Sequence, residues 1–125
     1  MTHLLIVAAG GALGAGLRHL VNLAALRWFG PGFPWGTLFV NIAGCLAMGV
    51  FVEMLARRFG ASAELRLFIA TGFLGGFTTF SAFSLDFALL YERGALLQAG
   101  IYVAGSVGLS IAAVFTGMWL ARTLA

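Results

Sequence analysis

Gly72-Phe73-Leu74-Gly75-Gly76-Phe77-Thr78-Thr79-Phe80-Ser81-Ala82-Phe83-Ser84 is an apolar stretch interrupted at its centre by two adjacent glycines and two adjacent threonines. Glycine loses backbone entropy in a helix and β-branched threonine loses rotamer freedom there, so helix propensity falls to a local minimum at Gly75-Gly76 and Thr78-Thr79. Both flanks are strongly apolar, Leu65 to Leu74 on one side and Phe80 to Tyr91 on the other. Each flank alone is too short to span the roughly 30 Å hydrocarbon core of a bilayer, and together they are long enough. The stretch therefore reads as one membrane helix broken in its middle. In lipid, unwound backbone survives only where protein or a water-filled cavity satisfies its freed N–H and C=O groups, and such breaks mark ion or substrate sites. Transport is the class of function to which this points.

The rest of the chain suits the same solvent. Of its 125 residues 62% are hydrophobic and only 9% charged, with a mean hydropathy of +1.04, values that belong in a membrane. The net charge of +3 comes from arginines set against four acids, with no lysine. These charges are scattered, so the basic stripe that nucleic-acid binding needs is missing. The single cysteine, Cys45, lies inside an apolar run; a disulfide framework or cysteine-based metal site within one chain is excluded, and the residue reads as packing. The first apolar run continues well past signal-peptide length and its Arg18 lies far from a basic n-region, so it reads as a retained helix.

Working outward from the break, four spans use up the chain, at about residues 4–29, 35–55, 65–91 and 95–120, a single domain over 1–125. Gly30-Pro31-Gly32-Phe33-Pro34 holds both prolines and is strong turn chemistry between the first two spans. Trp35 opens the second span and Arg57-Arg58 close it, groups suited to the headgroup region. Four spans put both termini and Arg57, Arg58 and Arg66 on one side, with Arg27 and Arg93 on the other. With Arg122 added, the balance is four arginines against two. A bias that small leaves insertion orientation undecided, so dual topology is open. Four short helices also enclose little interior, which favours an oligomer, and an antiparallel dimer suits both facts.

Several residues stand out as chemistry. Asn41 shares a helical face with Thr37 and Cys45. Its amide donors can recognise an anion without a full charge that would trap it, and an interhelical hydrogen bond worth about 1 kcal/mol is an equal alternative. Phe80 and Phe83, with Ser84, present two rings and a hydroxyl just after the break. Packing is the ordinary role of such rings, but their positive edges can also stabilise a small desolvated anion weakly enough to release it. Tyr102, Ser106 and Ser110 recur every four residues as a hydroxyl stripe, either a polar track or backbone-bonded side chains. Arg18 is too costly at mid-membrane to face lipid, and Asp86 and Glu92 are possible partners. His3 and His19 are isolated, and no nucleophile with its base, phosphate-cradling loop or carboxylate pair is present. The chain reads as a non-enzyme.

Gly10-Gly11-x-x-Gly14-x-x-x-Arg18, Gly36-Thr37-x-x-Val40-Asn41-x-x-Gly44 and above all Gly75-Gly76-Phe77-Thr78-Thr79-Phe80-Ser81-Ala82-Phe83-Ser84 resemble the signatures of the Fluc, or CrcB-type, fluoride channel family. The likeness spans all four helices. It implies an all-α integral membrane protein of the inner membrane, built as an antiparallel dual-topology homodimer in the lipid bilayer. It also implies two fluoride pores, passive export that gives fluoride resistance, and a structural sodium ion at the dimer interface. By matched position, Asn41 would be a pore donor, Phe80 and Phe83 the paired rings, with Ser84 beside them, and Tyr102, Ser106 and Ser110 the polar track. The backbone carbonyls of Gly75 and Thr78 would hold the sodium. The competing reading, a small multidrug-exporter-like transporter, wants an acidic residue in its first span, and residues 4–29 contain no Asp or Glu. A membrane assembly factor would have no use for the broken helix or the hydroxyl stripe.

Overall fold

The computed structural model describes residues 1–57 and 62–124; Arg58, half of the expected anchor pair, lies outside the described residues. Every described element is helical: α1 (Thr2–Phe29), α2 (Trp35–Arg57), α3 (Ala63–Arg66), a π-helical stretch (Leu67–Leu74), α4 (Gly75–Phe77), α5 (Ser81–Glu92) and α6 (Leu96–Leu124). The elements from α3 to α5 form one interrupted span, so four helical spans of 28, 21, 30 and 29 residues are long and apolar enough to cross a membrane. At about 1.5 Å per residue each clears the roughly 30 Å hydrocarbon core.

The spans associate in two pairs, α1 along the first half of the third span and α2 along α6. Backbone contact explains both. A Cβ at Gly14 would collide with the Phe73 carbonyl and one at Gly76 with the Gly11 backbone, while in the second pair Gly49 faces the Val114 carbonyl and Gly117 the Leu46 carbonyl. In lipid, where no hydrophobic drive separates helix from solvent, such close approach supplies the dispersion energy that holds helices together. Small residues accordingly fill the buried side of α6, at Ala99, Ala113, Gly117 and Ala121. Large apolar side chains such as Leu20, Leu97, Ile111 and Phe115 point outward.

Gly30 and Gly94 close α1 and α5 at φ 77° and 83°, the left-handed conformation that favours glycine. The two turns meet, because Arg93 Nη2 donates to the Gly32 carbonyl at 2.8 Å. At the other end of the bundle Arg122 Nε lies 3.2 Å from the buried Glu53 carboxylate, and His3 lies 3.7 Å from Glu64. The arrangement agrees with the expected division of turns and termini between two sides.

The third span departs from expectation in one respect. Gly75 and Gly76 are still helical, and the chain unwinds at Thr78, which is extended at φ −87° and ψ 157°. Gly76 serves the close approach to α1, where a Cβ would collide with the Gly11 backbone. Unwinding falls on the threonines that follow, preceded by a stretch in which Leu67–Leu74 is wound as a π-helix, a form that occurs at functional sites more often than elsewhere.

Candidate functional site

The break is held from two sides. From α1, Arg18 Nε donates to the Gly76 carbonyl at 3.1 Å, so it holds a freed carbonyl, a partner the sequence left undecided. From α2, Asn41 makes two bonds to one residue: Nδ2 donates to the Thr79 carbonyl at 3.0 Å and Oδ1 accepts from the Thr79 N–H at 2.8 Å. A side-chain amide carries donor and acceptor side by side, and here it replaces the helix ladder that Thr79 has left. One N–H of Nδ2 remains available. The threonine hydroxyls finish the work: Thr78 Oγ1 donates to the Leu74 carbonyl at 2.9 Å, and Thr79 Oγ1 accepts from the Ala82 N–H at 3.2 Å, covering an orphan donor of α5. Among the described residues, the carbonyls of Gly75 and Thr78 accept no hydrogen bond.

Beside the break opens a cavity of about 410 Å³ whose wall includes Asn41, Gly75, Thr78, Phe80, Phe83, Ser106 and Ser110. Residues from three spans, far apart in sequence, meet there. Phe83 is buried and Phe80 is 76% exposed, their ring centroids 5.5 Å apart and tilted by 49°. The Ser106 hydroxyl is buried, at 4% exposure, and makes no hydrogen bond among the described residues. That of Ser110 has only the weak thiol of Cys45 beside it. Both serines line the cavity, and two buried hydroxyls without strong partners are donors in want of an acceptor. Thr79 and Cys45 also line the wall. Sequence reading did not pair Thr79 with Asn41 and gave Cys45 only packing, since neither the 38-residue separation of the Asn41–Thr79 pair nor a thiol's orientation leaves a local pattern.

Ser84 is exposed and outside this wall. It stands one helical turn after Phe80 and shares that ring's outward direction, whereas Phe83 turns in. Tyr102 is fully buried and lies on the inner face of α6 with Ser106, but its hydroxyl donates to Asp86 Oδ2 at 3.0 Å. That proton is committed to a carboxylate. Tyr102 also packs on Phe83 at 5.1 Å and on Phe33 at 5.5 Å. It thus stands between the cavity that Phe83 lines and a second one of about 370 Å³, lined by Asn22, Thr37, Asp86 and Arg93 near the two turns.

Residues 5–118 match the family model described as CrcB-like protein, Camphor Resistance (CrcB). A protein of Rhizobium etli named Fluoride-specific ion channel FluC is 60% identical over 99% of both chains. One of the same name from Mesorhizobium japonicum is also 60% identical over 99% of both, and one from Agrobacterium fabrum 54% identical over 99% of both.

Proposed function

The chain belongs to the CrcB-like family and is a multi-pass membrane protein, and from that premise we propose that it is a fluoride-selective channel through which cytoplasmic fluoride leaves passively. The observation that carries the reading is the cavity at the break, where the Ser106 hydroxyl is buried and unpaired beside Asn41, Phe83 and Ser110. Fluoride is small and strongly hydrated, so a site that passes it must replace water with close donors. Hydroxyl protons of Ser106 and Ser110 and the free N–H of Asn41 are such donors, and the tilted rings of Phe80 and Phe83 add positive edges. None carries a full charge. Binding is then strong enough to strip water and weak enough to release the ion.

The dimer belongs to the same proposal. Phe80 is 76% exposed at the rim of a cavity that is open on one side, and an antiparallel second copy would cover both. The carbonyls of Gly75 and Thr78 fit a small hard cation: they are backbone oxygens without hydrogen bonds, and no carboxylate lies in residues 67–80 to favour a divalent ion. Two copies would offer four such oxygens to one sodium ion, which when bound ties the chains together. Arg18, on Gly76, keeps the flanking carbonyl out of that set.

Liposomes containing the purified protein should lose fluoride and retain chloride, read with ion-selective electrodes. Chloride efflux equal to that of fluoride would end the channel reading. Replacing sodium on both sides by a large organic cation should slow fluoride efflux or destabilise the dimer, and indifference of both to sodium would remove the cation site alone.

A further inference from the structure

Tyr102 lines neither of the two cavities it separates: Phe83 belongs to the wall of the one beside the break, and Phe33 to the wall of the one under the first turn. Its ring is fully buried, 5.1 Å from Phe83 and 5.5 Å from Phe33, and the second pair crosses edge to face at 86°. We propose that Phe33 is a positioning residue for ion discrimination: from the turn at residues 30–34 it braces the Tyr102 ring as a partition that only a small ion passes. The discrimination, though not the bracing, rests on the channel reading.

The brace is built from the turn upward. Pro34 disfavours helical backbone at Phe33, so the chain leaves α1 as a turn and does not run on into α2. Two consecutive carbonyls then fix the turn: that of Gly32 accepts from Arg93 Nη2 of α5 at 2.8 Å, and that of Phe33 accepts from the Trp35 N–H at 2.8 Å. The Trp35 ring packs on Phe33 at 4.7 Å, and Phe33 in turn packs against the buried cluster of Phe83, Leu90, Ala99 and Tyr102. An edge-to-face contact sets the positive edge of one ring against the negative face of the other, so it fixes angle as well as distance. The only hydrogen bond of the Tyr102 hydroxyl as donor, to Asp86 Oδ2 at 3.0 Å, holds the tip of the side chain and leaves the ring plane to its neighbours. With Phe33 reduced to a methyl group, the space of its ring joins the cavity of about 370 Å³, and Tyr102 is free to swing toward it. A gap with room for a water molecule, about 30 Å³, lets an ion cross with part of its hydration shell. Chloride then crosses as well as fluoride.

Two readouts test the brace and its consequence. The chain holds two tyrosines, Tyr91 and Tyr102, so protein carrying tyrosine isotopically labelled at Cζ gives two magnetic-resonance signals in detergent, and Tyr102→Phe assigns them. In Phe33→Ala the Tyr102 signal should move as its hydroxyl leaves Asp86, while that of Tyr91 stays in place. In liposomes loaded with both anions, the ratio of fluoride to chloride efflux should fall by about tenfold or more in Phe33→Ala, the scale on which the shape of a pocket discriminates. Phe33→Tyr, which restores a ring, should retain the ratio of the unaltered protein. Should Phe33→Ala fail to fold, Phe33→Leu, with apolar volume but no ring, is read in the same way. A Tyr102 signal that does not move overturns the brace. A moved signal with an unchanged efflux ratio, or a ratio lowered equally in Phe33→Tyr, overturns the discrimination. Absence of any fluoride efflux from the unaltered protein overturns the channel reading instead, and the Tyr102 signal still decides the brace.

Discussion

At the scale of single residues, Asn41 has two duties. Its Oδ1 and one N–H of Nδ2 are tied to Thr79 at 2.8 and 3.0 Å, which leaves one N–H of a residue that lines the cavity. Asn41→Ala would leave the N–H and C=O of Thr79 unpaired at mid-membrane, at a cost of about 1–3 kcal/mol each. The expected outcome is a lower unfolding midpoint in detergent together with loss of fluoride efflux. Asn41→Asp keeps the acceptor for the Thr79 N–H but sets a carboxylate oxygen against the Thr79 carbonyl and beside the proposed anion path. Efflux should fall sharply. An unfolding midpoint unchanged in Asn41→Ala would show that the two hydrogen bonds do not hold the break.

At the scale of elements, the third span owes its course to α1. Gly14 lies against Phe73 and Phe77 with no room for a Cβ, while a Cβ on Gly16 meets nothing within 4 Å. Overpacking of a tight contact costs about 1–3 kcal/mol, so Gly14→Ala should broaden or fragment the size-exclusion peak and lower the unfolding midpoint. Gly16→Ala should do neither, and equal behaviour of the two variants would refute the contact. The existence of the four spans was legible because hydropathy and turn chemistry are local properties. So was the interruption, since Thr78 and Thr79 disfavour helix in any context. Its position was less so. Gly75 and Gly76 carry the stronger signal of weakness, yet both stay helical because Gly76 is pressed on the Gly11 backbone, and that tertiary contact outweighs propensity. The π-helical winding of Leu67–Leu74 has no proline or polar run to announce it. Likewise the helical spacing that grouped Tyr102 with Ser106 says which face a residue takes, but not that Asp86 claims its proton.

At the scale of the whole molecule, Arg93 and Gly32 join the two turns at one end of the bundle, and the Glu53–Arg122 and His3–Glu64 pairs stand at the other. The excess of arginines on the side of the termini is small. Reporters fused to the C-terminus that work on opposite sides of the membrane should therefore give comparable signals, and adding two or three arginines to either set of turns should lock one orientation. A single strongly preferred orientation in the unaltered protein would reject dual topology. The two stitched ends then acquire a meaning beyond rigidity. If copies insert both ways, the Arg93–Gly32 tie stands in the cytoplasm in one copy and outside the cell in its neighbour, and the Glu53–Arg122 pair does the reverse. One codon change would then alter both mouths at once. Under dual topology, selection could not adapt one mouth to its compartment without imposing the same change on the other, and only a duplicated gene, each copy committed to one direction, would be free to let the two faces diverge.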